Sequence, residues 1–537
     1  MPQPRMTKLQ LALAALTGLL SPLCFPDFDL GWLAWLVLLP LHLALLAFPE
    51  TGPRRSFWLG WLAGTVGSVG IMAWVVTAMH LYGKVPVAIS YAVMLLLATY
   101  LGLYVAVYAW GLAWLRRSLP HLALLGAPFL WVALELLRTH LLSGLPWALL
   151  GYSQYRWLPV IQIADHTGVY GISFLLVLAN VALADAAVWL AGRLRGQAAH
   201  PFPWIVPAAA VAGLAVTVWY GQDRLAGQPA SSDRTVGIGL VQANIDQAHK
   251  WDEAYRRETL DRYARLTRQA AAGSDLIVWP EAATPFLFER EPRYREEVAS
   301  LVRAQGAPLL FGSPALRYHR DGRIFLLNSA FLHATDGTIL GRYDKQHLVP
   351  FGEYIPLHSS VLFFLDKLVE GIGDFEAGTV ATILEAPGRE AHQPGQARGP
   401  VPKFGVVICY EVIFPNLVRE FAERGAEFMV TITNDAWFGR SAAPYQHFGM
   451  VVLRAVENRR AFARAANTGV SGFIDPQGRI IQATPIFEEA AVTGRIPLDQ
   501  TVTFYTRYGD AFAYACAIIT GLLAVAASRR RGQGARG

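Results

Sequence analysis

Three short stretches each end an apolar run in a residue that can do chemistry. Residues 404–408 have the length and β-branched content of a buried strand. Cys409, Tyr410 and Glu411 follow, and Pro415 suits the first turn of a helix. A cysteine there sits on a tight turn between strand and helix, where turn N–H groups can face a developing oxyanion. Taken alone, a cysteine after an apolar run reads more readily as a core residue. A second apolar strand, 275–279, leads to Glu281, and a third, 338–343, runs into Lys345 and a loop holding His347, Gly352 and Glu353. Alone, these read as a solvated strand end and a surface charge. Together they supply a carboxylate, an ammonium and a thiol at strand ends, which gather on one edge of a parallel or mixed sheet. That set suits acyl transfer. The carboxylate takes the thiol proton, the thiolate attacks a carbonyl, and the ammonium, with a turn N–H near Tyr410, stabilises the oxyanion. A free thiol, with a pKa of about 8.5, needs such help at neutral pH.

The order Glu281, Lys345, Cys409 resembles the nitrilase (carbon–nitrogen hydrolase) superfamily. The residues that carry it are Trp279-Pro280-Glu281, the lysine before His347-Leu348-Val349-Pro350-Phe351-Gly352-Glu353, and Cys409-Tyr410-Glu411. The fuller match is to the membrane-embedded apolipoprotein N-acyltransferase family. Its further marks are Gln242, Lys250-Trp251, Asn434-Asp435-Ala436-Trp437-Phe438-Gly439, Gln446-His447 and Arg464-Ala465-Ala466-Asn467-Thr468-Gly469. The resemblance covers nearly the whole chain. It implies a four-layer αββα sandwich with a Glu281–Lys345–Cys409 triad, and Glu353, Tyr410, Glu411 and Trp251 as supporting residues. It further implies a ping-pong reaction, the last step of lipoprotein maturation. A phospholipid donates a fatty acyl chain through a cysteine thioester to the N-terminal amine of the diacylglyceryl-cysteine of an apolipoprotein. Read from their chemistry, Glu353 and Glu411 hold Lys345 and the loop, since buried charges need partners. Trp251 reads either as a gate for the acyl chain or as packing. His347 is taken as structural, and Asn434 and Asp435 as braces of the turn beneath the site.

The elements that must position these residues follow from composition. At 537 residues, 53% hydrophobic and 16% charged, the chain is too long for one ordinary domain and too apolar for a disordered or nucleic-acid-binding protein. Its mean hydropathy is positive, as in membrane proteins. Of three cysteines, Cys24 and Cys516 fall in apolar spans, which leaves neither a disulfide framework nor a metal site. No cofactor is implied.

Apolar segments predict about eight transmembrane helices, each needing about 20 residues to cross. They are 8–25, 30–48, 57–80, 87–115, 121–137, 169–191, 203–220 and 511–527. The first reads as an uncleaved anchor. Gly60, Gly64, Gly67 and Gly70 either let helices approach closely or are merely tolerated in lipid. Glu135 and Asp185 are functional by default or snorkel from span ends. Arg and Lys fall at the N-terminus, at 54–55, 116–117 and 193–195, and in the tail 529–531. With about seven spans before the soluble part and one after it, these are alternate loops, so both termini face the cytoplasm and the soluble part lies outside. The expected domains are therefore helices over 1–220, a periplasmic nitrilase-like catalytic domain over 234–498, a last span over 509–528 and a basic cytoplasmic tail over 529–537, in the bacterial inner membrane.

Strands alternating with helices over 234–498 predict a layered α/β domain. One helix is expected over 445–463. Residues 359–369 are strongly apolar and read either as a lid toward lipid or as a packing insertion, and 386–402 as an exposed loop. Two rivals remain. One is a membrane-tethered amidase or nitrilase in which water resolves the thioester, although a hydrolase of small soluble amides gains nothing from so many spans. The other is a transporter or scaffold carrying a degenerate domain, against which the intact Glu281, Lys345 and Cys409 set speaks.

Overall fold

The computed structural model describes residues 6–48, 50–196, 201–227, 234–354, 375–387 and 401–534. Residues 359–369 lie outside these, as does most of 386–402. The chain forms two compact units, one of Met1–Val76, Ala88–Ala226 and Tyr508–Gly537, the other of Thr77–Val87 and Gly227–Arg507.

The first unit is helical. Among the described residues, five helices are long and apolar enough to cross a bilayer: Val87–Ser118, Pro120–Ser143, Val169–Leu194, Ile205–Ala226 and Ala511–Arg531. A sixth span results if Pro53–Ile71 and Trp74–Tyr82, bent by 47° at their break, count as one. The two N-terminal segments are shorter apolar helices, Lys8–Cys24 and Gly31–Leu46. All eight expected segments are thus helical, while five or six reach spanning length. A capping box of Thr7 and Gln10 starts the first, and its last turn, Ser21–Cys24, tightens to a 3-10 helix at Pro22. The glycine run brings helices together. A Cβ on Gly60 would lie 2.4 Å from the Val105 carbonyl oxygen, and one on Gly64 2.8 Å from the Val105 Cβ. Glu135 is buried rather than snorkelling, and accepts hydrogen bonds from Trp131 Nε1 at 2.9 Å and the Leu150 N–H at 3.0 Å.

The second unit contains twelve strands among the described residues: β1 Thr235–Gln242, β2 Leu276–Val278, β3 Leu309–Tyr318, β4 Ile324–His333, β5 Ile339–Asp344, β6 Leu384–Glu385, β7 Lys403–Ile408, β8 Phe428–Thr433, β9 Ala461–Ala466, β10 Gly472–Ile474, β11 Ile480–Ala483 and β12 Ala490–Pro497. They form two mixed sheets, ordered β12-β1-β2-β3-β4-β5 and β11-β10-β9-β8-β7-β6. The sheets face each other through β1 against β9 and β4 against β7. The helix Arg256–Ala270 packs on β1 and β12, and Pro292–Gln305 joins the same apolar core through Val298 and Val302. The helix Pro415–Glu423 packs on β7, and Ala443–Asn458 on β9 and β10. This is the αββα sandwich. Leu260, Tyr263, Leu266 and Ala270, one face of their helix, are buried as their spacing predicts.

The helix expected over 445–463 is instead a helix followed by a strand. It ends at Asn458, where Arg459 turns left-handed with φ 51°, and β9 begins at Ala461. Ala461-Phe462-Ala463-Arg464-Ala465-Ala466 has helix-forming composition, yet it pairs parallel with β8 and is buried throughout. Tertiary burial overrides a weak local preference. The strand β12 also escaped the sequence pattern. It is specified by antiparallel pairing along all of β1, from Thr235–Pro497 to Gln242–Ala490.

Candidate active site

β2, β3 and β5 run in one direction, since β2 pairs parallel with β3 and both β3–β4 and β4–β5 are antiparallel. Glu281, just past β2, and Lys345, just past β5, therefore emerge at the same end of the first sheet. Cys409 does not share that edge. It follows β7 in the second sheet, so both sheets contribute, where the sequence suggested a single edge.

Cys409 opens the 3-10 turn Cys409–Ile413, ahead of the helix Pro415–Glu423. Its φ of 53° is left-handed, a strained conformation for a non-glycine residue that accompanies function more often than chance. The residue is 9% exposed. Burial pushes its thiol up, nearby Glu281 adds to this, and Lys345 acts against both. Burial and Glu281 together favour the neutral thiol over the thiolate.

Glu281, 8% exposed, is held at both oxygens. Oε1 accepts from Asn328 Nδ2 at 2.7 Å and Lys345 Nζ at 3.4 Å, and Oε2 accepts from the Asn434 N–H at 2.9 Å. Lys345 Nζ also donates to Glu353 Oε1 at 3.0 Å. Burial favours a neutral Lys345, but Glu353, then Glu281, outweigh it and hold the ammonium's pKa above its usual value. Glu353 Oε2 accepts from the Val349 N–H at 2.8 Å, which fixes the loop.

Glu411 bridges the sheets. Oε1 accepts from Tyr343 Oη at 2.7 Å and from the Gln346 and His347 N–H groups at 2.6 and 3.1 Å. Oε2 accepts from the Ile408 N–H at 2.7 Å. Burial raises Glu411 to about 7, against these hydrogen bonds and Lys345. The Lys345 loop and the Cys409 turn thus share one carboxylate. Tyr410 and His347 pack as rings, His347 stacking on Phe414 at 3.6 Å. Trp251 is 50% exposed on the turn before Glu253–Tyr255.

Behind the turn lies a second cluster. His447 Nε2 meets the Cys409 carbonyl at 3.1 Å, and a carbonyl only accepts, so Nε2 carries the proton. Its Nδ1 lies 3.1 Å from both Asp435 Oδ1 and Arg464 Nη2. Arg464 Nη2 donates to Asp435 Oδ2 at 2.7 Å. Burial would raise Asp435, but Arg464 and His447 prevail and hold it at about 2. Thr433 joins the clusters. Its hydroxyl donates to Asp435 Oδ1 at 2.9 Å, and Thr433 acts weakly to lower the Cys409 thiol's pKa.

Asn328 had escaped notice. Its amide bridges Glu281 Oε1 and Glu353 Oε1, at 2.7 and 2.8 Å. The signal was a lone carboxamide in the middle of the apolar strand β4. Lys250 stood in a recognised motif without a role, and its ammonium is buried in this site. A thiol, a carboxylate and a buried cation are the parts a nucleophilic acyl-transfer centre needs.

The apolipoprotein N-acyltransferase N-terminal domain matches residues 17–182, and the carbon–nitrogen hydrolase domain residues 237–505. A relative named apolipoprotein N-acyltransferase, from Geobacter metallireducens, is 44% identical over 97% of this chain and 95% of its own. The chain belongs to the apolipoprotein N-acyltransferase family. A second such relative, from Azotobacter vinelandii, is 35% identical over 93% of this chain and 91% of its own. An amidase from Nesterenkonia sp. is 20% identical over 52% of this chain and 95% of that one, with a TM-score of 0.36. As an apolipoprotein N-acyltransferase family member with long apolar helices, the protein is a bacterial membrane acyltransferase of lipoprotein maturation. That removes the transporter or scaffold reading. The match to the family's N-terminal domain speaks against the simple amidase.

Proposed function

We propose that the protein transfers a fatty acyl chain from a phospholipid to the N-terminal amine of a diacylglyceryl apolipoprotein, through a thioester on Cys409. In the first half-reaction Glu281 takes the Cys409 proton and the sulfur attacks an ester carbonyl of the phospholipid. The tetrahedral oxyanion forms against Lys345 and a turn N–H near Tyr410. The C–S bond forms, the ester C–O bond breaks, and Glu281 returns the proton to the departing lysophospholipid oxygen. In the second, the amine nitrogen attacks the thioester, the C–S bond breaks, and the amine's proton passes through Glu281 to the sulfur. Glu353 and Asn328 hold Lys345 and Glu281 in register, and Glu411 ties the Lys345 loop to the Cys409 turn. Tyr410 shapes the turn, and Trp251 shapes the entrance.

The observation that carries the reading is convergence. Glu281 and Lys345 hydrogen-bond each other from one sheet, and both act electrostatically on the Cys409 thiol from the other. For topology, Arg54, Arg55, Arg116, Arg117, Arg193 and Arg195 and the tail Arg529-Arg530-Arg531 support cytoplasmic ends and a periplasmic catalytic domain in the inner membrane. The proposed division is 1–220, 234–498, 509–528 and 529–537.

Intact-mass measurement of the purified protein after incubation with phospholipid tests the reading. The expected result is one acyl adduct on Cys409 that disappears on adding a diacylated lipopeptide. Turnover without any such adduct would sink the thioester route.

A further inference from the structure

The site contains two buried ammonium groups, and the proposed mechanism uses one. Lys345 lies between two carboxylates, at 3.0 Å from Glu353 and 3.4 Å from Glu281. Lys250 is 3% exposed, and its Nζ donates to the Glu281 carbonyl oxygen at 3.2 Å. Among the described residues, no carboxylate lies within 4 Å of it. Its hydrogen bond to the Glu281 backbone places it beside the site's carboxylate, and its charge is felt by Glu281 and Cys409. A buried cation with no carboxylate in direct contact is costly unless something neutralises it. Burial lowers its pKa to about 8, only partly offset by Glu281 and Cys409, so at neutral pH the group is still largely charged.

We propose that Lys250 binds the phosphodiester of the acyl donor and so selects a phospholipid over other esters. The proposal rests on the phospholipid reading above and deepens it. The chemistry favours this anion over two others. The oxyanion of the tetrahedral intermediate is transient and already has Lys345. A free phosphate is not tethered to the ester under attack. A phosphodiester is fixed a few bonds from the donor's ester carbonyls along the glycerol. An ester carbon at Cys409 therefore brings it within the same pocket, where a point-charge ammonium is a suitable partner. The surrounding turn fits a lipid headgroup. Trp251 and Tyr255, beside the buried lysine, are exposed aromatics, the residue types that favour the headgroup level of a membrane.

The test compares two donors on the full-length enzyme in detergent, reading thioester formation on Cys409 by intact mass. One donor is dipalmitoyl phosphatidylglycerol. The other is p-nitrophenyl palmitate, which has no phosphate. The expected result is that Lys250→Met lowers the ratio of phospholipid rate to p-nitrophenyl ester rate by roughly tenfold to a hundredfold, the scale of one charge-assisted contact, and that Lys250→Arg recovers much of it. An unchanged ratio overturns the proposal, whether both rates fall together or neither falls, because a structural or oxyanion role affects both donors alike. Failure of the underlying reading shows separately and earlier. Wild-type enzyme that is acylated by p-nitrophenyl palmitate and never by the phospholipid would remove the donor assignment, and this inference with it.

Discussion

Two buried charge clusters flank the Cys409 turn, built from the same kinds of group. In the first, Glu281 and Glu353 hold Lys345; in the second, Asp435 holds Arg464 and His447. Both obey the rule that a buried charge needs a partner. They differ in access. The Glu281 and Glu353 side chains keep 10% and 13% exposure, whereas those of Asp435, Arg464 and His447 are fully sealed. A cluster at the mouth can exchange protons with a substrate. A sealed one can only fix geometry, here the Cys409 carbonyl through His447. Composition alone does not separate a reactive ion cluster from a structural one, but accessibility does.

Substitutions can break that contrast. The largest effect is expected at the thiol between the clusters. Cys409→Ala should abolish both thioester and transfer, and sustained turnover of phospholipid and lipopeptide by it would end the nucleophile assignment. Next come the mouth residues, in rate and not in stability. Lys345→Met should lose acylation by roughly a hundredfold to a thousandfold, the usual scale for one oxyanion donor. Glu281→Gln should fail in thioester formation itself, which labelled phospholipid and a quench series can resolve from the second step.

The sealed cluster should respond the other way round. Asp435→Asn leaves Arg464 buried without its counter-charge, so unfolding stability should drop by about 3–5 kcal/mol. The pH dependence carries a definite sign. Asp435 is held at about 2, below its ordinary 3.8, so the stability it contributes is full above about pH 4 and fades as pH falls toward 2. Urea titrations from pH 7 down to 2.5 should show the deficit of the variant constant and then shrinking. A constant deficit throughout would show that the pair is not the cause. The smallest effect is expected at Asn328. Asn328→Ala removes one amide shared by two carboxylates, so acylation should slow by roughly tenfold with the second half-reaction preserved. A loss as large as that of Lys345→Met would move Asn328 from bracing to the reaction itself.

Much of this was legible in the chain. Each of Glu281, Lys345 and Cys409 ends a strand readable from its apolar run, and motif order linked them. The amphipathic helix Arg256–Ala270 and most strands followed from periodicity, because burial on one face leaves a pattern. β9 and β12 left none, since one is buried on both faces and the other is specified by its partner strand. Span number was also less legible than span position. Hydropathy marks an apolar segment, but Pro22, the break between Ile71 and Trp74, and the 3-10 segment Gly31–Trp35 decide whether it continues as one helix.

The sequence by itself determined the chemical parts, because side-chain type sets what a residue can do wherever it lies: one thiol at a strand end, a carboxylate and an ammonium at two others, and apolar segments that need lipid. Only the tertiary structure decided which charges meet. That Cys409 comes from the sheet opposite Glu281 and Lys345, that Asn328 bridges two carboxylates, and that Asp435 is sealed while Glu281 is not, are contacts across long sequence separations. Lys250 is the sharpest case. The Lys250-Trp251 pair marked a motif but gave the lysine no role, and only the packing of the turn against Glu281 makes it a buried cation.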